Sequence, residues 1–157
     1  MARPRRVEVD CEEPFAAAAT RIVAARSQEL FEQSAGILDL DDVERVHDMR
    51  VATRRLRAAL ELFEACFPPK RWRKALKRVR ALADALGERR DVDVELELLE
   101  GLEEKVAPDD RQAFEDLVGG LRARQREANE HLAAFVTRKR LRKLKRRLRR
   151  LAEEAGR

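Results

Sequence analysis

Four residues of one short segment have side chains suited to holding phosphate. His47, Arg50, Arg54 and Arg57 recur at i, i+3, i+7 and i+10 within residues 46–63. On a helix of about 3.6 residues per turn they span only ~80° of arc, with Arg55 beside the ridge but off its centre. Met49, Ala52, Leu56, Ala59, Leu60 and Phe63 fall roughly on the opposite side, the arc that faces a core. Guanidinium forks match phosphate oxygens two at a time. A protonated imidazole donates from both ring nitrogens, and an adjacent polyanion favours that charged form. A merely solvated basic face ordinarily carries acids at i±4 to relieve repulsion. This arc has none between His47 and Arg57, which favours a binding role over ordinary solvation.

Three further basic sets are weaker. Arg73, Lys77 and Arg80 share a stripe at i, i+4 and i+7, equally readable as a solvated face or as a second wall. The second reading gains if this helix lies antiparallel to the first, as the short Pro68-Pro69 link suggests. In the run from Gly87 to Asp91, glycine reads as a helix stop and aspartate as a cap, with Arg89 or Arg90 within reach of a groove. Residues 138–150 are almost all Lys or Arg between Leu141, Leu144 and Leu148. They suit a nucleic-acid-binding helix, a membrane-surface helix, or a packed helix that adds to the positive field. A stripe of leucine alone, without Trp or Phe anchors, favours the packed helix. Arg138, Lys139 and Arg142 are its candidates for extending a groove.

The remaining chemistry is sparse. His47 has no second His, Cys or carboxylate at metal-ligand spacing, and His131 reads as structural. No nucleophile elbow, Walker loop, metal-binding His pair or carboxylate dyad is present, so no catalytic residue, metal or cofactor is expected. Cys11 and Cys66 read as single thiols in a reducing compartment. The start of the chain is basic but lacks an apolar segment after it, and no run is long enough to span a membrane, so the expected location is the cytoplasm.

These side chains need a helical frame. The 157 residues are 41% charged and 44% hydrophobic, with leucine, alanine and valine at helical spacing rather than the apolar-poor pattern of a disordered chain. The net charge of +5 conceals segregation: bases gather in residues 50–57, 70–80 and 138–150, acids in 39–44 and 91–104. A strongly positive patch on a nearly balanced molecule predicts a polyanionic partner.

The pattern predicts an all-α antiparallel bundle of about six helices, with a flexible arm over residues 1–12 and one domain over 13–157. The first helix spans about 14–34, opened by Pro14 and stopped by Gly36, burying Phe15, Ala19, Ile22, Val23, Leu30 and Phe31. The second runs from an Asp41 or Asp42 cap to about 67, and the third covers 70–86. The fourth, 91–105, alternates Val92, Val94, Leu96 and Leu98 like a strand. A lone strand has nothing to pair with, so helix is expected. The fifth spans about 109–136, where Gly119-Gly120 allows either a close helix approach or a bend. The sixth covers 138–154.

Two motifs together resemble the CHAD domain, the conserved histidine α-helical domain. One is H-x-x-R-x-x-x-R-R-x-R at His47, Arg50, Arg54, Arg55 and Arg57. The other is L-G-x-x-R-D at Leu86, Gly87, Arg90 and Asp91. The resemblance implies an all-helical, non-catalytic protein that binds inorganic polyphosphate and associates with polyphosphate granules. It implies two bundles related by a pseudo-two-fold, with a basic channel between them. Carried over, His47, Arg50, Arg54, Arg57, Lys77, Arg80 and Arg90 become ligand contacts, and sulfate or phosphate becomes a natural occupant in crystals. Family members have a second, degenerate motif; these residues contain one, so the chain resembles half the architecture. A homodimer would then supply the opposite wall.

The expected function is therefore non-covalent polyphosphate binding. The alternative is a nucleic-acid-binding helical protein, disfavoured by the absence of Tyr and by a Trp and Phe set that reads as buried. A phosphohydrolase would need a metal and clustered carboxylates. A dimeric scaffold whose charges serve solubility is the blandest reading.

Overall fold

The computed structural model describes residues 4–155. Its helices are α1 (Phe15–Glu32), α2 (Val43–Leu62), α3 (Pro69–Glu100), α4 (Arg111–Phe135) and α5 (Arg138–Glu153). Single 3-10 turns occupy Glu64–Cys66, Glu103–Lys105 and Pro108–Asp110, and no strand occurs among the described residues. The all-α class stands, with five main helices in place of six.

The difference lies in α3. The third and fourth expected helices are one 32-residue helix that runs straight through Gly87 and Asp91. Glycine at C′ ends a helix by turning left-handed, and among the described glycines only Gly36 has a positive φ, 69°. The buried stripe continues past Gly87 through Arg89, Val92, Asp93 and Leu96, so packing on both sides keeps the helix going. The alternation in residues 92–98 has a helical explanation. Val92 and Leu96 are buried with Leu121 of α4, whereas Val94 and Leu98 lie on another arc and are exposed.

α1, α2, α3 and α5 form a four-helix bundle. α1 and α3 each pack against both α2 and α5, which sets α2 and α5 at opposite corners. The core joins Val23 and Leu30 of α1, Met49, Leu56 and Leu60 of α2, Leu76 and Val79 of α3, and Leu148 and Leu151 of α5. Burying each such side chain stabilises the fold by about 1.5–3 kcal/mol. α4 folds back along the far half of α3, pairing Arg124 with Glu95, Gln125 with Asp93, and His131 with Glu88. Gly119 and Gly120 have no neighbouring atom within 4 Å of a Cβ position, so they serve no close helix approach.

Helix ends fix how the elements meet. α1 stops at Glu32, and Gly36 then turns left-handed against the Arg45 side chain. Asp42 takes the N-cap position of α2, but its carboxylate holds the Arg45 guanidinium at 2.7 Å instead of a backbone N–H. α2 ends at Leu62, earlier than expected; Phe67 is extended, as a residue before proline must be, and Pro69 starts α3. The Trp72 indole donates to the Leu60 carbonyl at 2.7 Å, satisfying an acceptor that the end of α2 leaves open. This bond pins α3 back against α2. Thr137 caps α5 through the Arg140 N–H, and Thr20 donates to the Ala152 carbonyl, tying α1 to the end of α5.

One expectation for the core fails. Phe15 is 60% exposed, resting on Phe63 with ring centroids 5.0 Å apart. Residues 4–12 lack regular structure but lie along α1, where Arg21 donates to the Glu8 carbonyl and Arg26 to the Arg5 carbonyl.

Candidate polyanion-binding groove

α2 divides as its spacing demands. Val46, Met49, Ala52, Leu56, Ala59 and Leu60 are buried. His47 and Arg50 are half-buried at their bases, and Arg54 is exposed. Arg57 keeps 42% of its side chain in solvent, and Arg55 is half-buried beside the ridge. Buried stems with open heads let an arginine stay rigid while its guanidinium meets a ligand.

The second basic stripe lies alongside. Arg80 of α3 reaches Glu61 of α2 at 2.8 Å, and Arg57 approaches the same Glu61 oxygen at 3.9 Å. One carboxylate therefore joins the two stripes where Arg57 and Arg80 meet. Glu61 sits one turn past Arg57, just outside the ridge. All three side chains are between two-fifths and three-fifths exposed, so these pairs are weak and exchangeable with solvent. Arg73 and Lys77 are exposed on the same α3 face. Among the described residues, His47, Arg50, Arg54, Arg73 and Lys77 meet no acid within ion-pair distance. Such uncompensated cations repel one another until an anion binds.

The L-G-x-x-R-D element behaves differently from expectation. Arg90 is half-buried, and its fork grips Glu97 at 2.8 and 3.2 Å, a bidentate pair within α3. Its neighbour Arg89 is wholly buried and pairs with the equally buried Asp93, which accepts a hydrogen bond from Gln125 of α4 at 2.7 Å. Burial pushes the Arg89 guanidinium below its ordinary range, with the Arg90 charge adding to the effect. Asp93 thus ties α4 to α3 through Gln125, and Arg89 balances its buried charge from within α3, a role that its neighbour's place in the motif obscured. The i, i+4 spacing of Arg89 and Asp93 was the available signal.

α5 does not extend this groove. It occupies the corner opposite α2, with α3 between them. Lys139 lines a separate depression with Arg78 of α3, while Arg138 and Arg142 are exposed on α5. His131 is an exposed helix-to-helix contact: its Nδ1 lies 2.7 Å from Glu88, and its ring meets Phe135 edge-on. Cys11 and Cys66 are free thiols. No helix among the described residues is long and apolar enough to cross a membrane.

No curated protein matches the chain in sequence. The family model for the CHAD domain matches residues 21–157, nearly the whole length, and the two motifs lie inside that span; the chain belongs to the CHAD domain family.

Proposed function

We propose that this chain binds inorganic polyphosphate, without catalysing a reaction on it, in the groove between α2 and α3. The family is associated with polyphosphate binding. The observation that carries the reading is the convergence of Arg57 and Arg80 on Glu61, which aligns two basic stripes along one flank. Arg50, Arg54 and Arg57 form one wall, with His47 at its head. Arg73, Lys77 and Arg80 form the other. Successive phosphates of a linear chain meet cations from alternate walls, and Arg90 joins only after leaving Glu97. Longer chains engage more sites at once and bind more tightly.

The motif occurs once in these 157 residues, so a second such groove facing the first would come from a second copy. We read the protein as a homodimer of the cytoplasm, with polyphosphate granules as its place of action. Val94 and Leu98, exposed on α3, suit the contact between copies.

Reversing two charges of the ridge tests the reading. Arg50→Glu with Arg54→Glu abolishes polyphosphate binding in the α2–α3 groove while circular dichroism shows unchanged helicity. Wild-type affinity in that double variant removes α2 from the site. Competition at matched salt separates the ligand classes: polyphosphate displaces RNA and duplex DNA, and the reverse order would favour a nucleic-acid protein.

A further inference from the structure

We propose that the groove between α3 and α5 is a second site for a linear phosphate polymer, on the flank of α3 opposite the α2 ridge. The ligand class rests on the polyphosphate reading above; the site rests on its own geometry.

Two depressions, of about 390 and 320 Å3, share Lys143 and Arg147 and so form one continuous groove. The wall from α3 carries Arg71, Lys74 and Arg78, spaced i, i+3 and i+7. The wall from α5 carries Lys143, Arg147 and Arg150, spaced i, i+4 and i+7. The helices run antiparallel here, because Arg71 pairs with Glu154 at one end and Arg78 lies beside Thr137 at the other. Seven residues of helix extend the α3 wall over ~10 Å. Of these six cations only Arg71 has a carboxylate partner among the described residues. Both walls are held by burial beneath them: Leu82 of α3 and Leu144 and Leu148 of α5 are in the core. The cations therefore stand close together whether or not an anion is present, at a cost in repulsion that a bound polyanion relieves.

The shape selects the ligand. A cleft with bases on both walls fits a phosphate chain. Phe135 is the aromatic ring at the groove, and its face is covered by Arg140, 5.7 Å from the centroid, so no platform remains for stacking bases. The apolar stripe of α5 is buried in the bundle, which leaves nothing to insert into a bilayer. Arg73 and Lys77, the α3 wall of the first groove, are exposed together with Lys70 on the crest of α3 that leads to the second. One long chain can thus pass from one groove over the crest to the other.

Calorimetric titration of the full chain with a short linear polyphosphate at low salt tests this. Wild type binds two per chain. Lys143→Glu with Arg147→Glu binds one, as does Arg50→Glu with Arg54→Glu, and the combined variant binds none. With long polyphosphate, the α5 variant lowers the salt slope by about 1.4, at ~0.7 per lost contact. Lys143→Gln with Arg147→Gln, helicity checked, gives the same direction without charge reversal. Two sites retained in both α5 variants overturn the proposal, even if the α2 variant loses its site. Loss in the α5 variants with no loss in the α2 variant overturns the α2 ridge instead. A short DNA duplex that binds this groove more tightly per phosphate than polyphosphate does also overturns it.

Discussion

Glu61 is the acid where the two basic stripes of α2 and α3 meet. It draws Arg57 and Arg80 toward one point and partly neutralises both. Glu61→Gln frees the two guanidiniums and removes a charge that repels phosphate. Polyphosphate affinity should rise about two- to fivefold, the scale of one exposed ion pair; unchanged or weaker binding on titration would mean that the two stripes do not act together. Arg89 has the opposite character, since it never meets solvent. Arg89→Ala leaves Asp93 buried and uncompensated and should destabilise the fold by about 3–5 kcal/mol in urea unfolding, whereas Arg89→Met with Asp93→Leu should recover most of that loss. The sequence made Arg90 prominent and left Arg89 in its shadow. Adjacent residues point ~100° apart on a helix, and only the packing of the other helices decides which one is enclosed.

Among the elements, α2 was legible almost residue by residue, because its two faces differ in both polarity and charge. α3 was harder. Gly87 matched a helix stop, yet the buried stripe on either side of it carries one helix through. Glycine inside a helix has no packing reason here, as no atom lies within 4 Å of its Cβ position. Gly87→Ala should therefore stabilise the protein by about 0.5–1 kcal/mol, read as a higher urea midpoint with an unchanged slope. Destabilisation would indicate a break at that point. The strand-like alternation after Asp91 reflects two apolar arcs, one covered by α4 and one open. α5 was recognisable as a packed basic helix, because its leucines repeat at helical spacing. Which groove its bases serve was not legible, since no local pattern records which corner of a bundle a helix takes.

For the whole molecule, the net charge of +5 understates the field on one side. Bases of α2, α3 and α5 spread across neighbouring flanks of the bundle, while acids 91–104 lie at the far half of α3 and the turn beyond it. Affinity for polyphosphate should fall steeply with salt, linearly in log–log form, through release of condensed counterions. Binding that is flat between low and moderate salt would rule out electrostatic recognition. Sedimentation velocity should show a dimer that Val94→Glu with Leu98→Glu converts to monomer; a wild-type monomer that still binds polyphosphate would overturn the dimer. The most direct measurement is a crystal structure of the chain with a short polyphosphate. Phosphorus atoms should line up between Arg50, Arg54 and Arg57 on one side and Lys77 on the other. A fully loaded crystal with that groove empty would contradict the account.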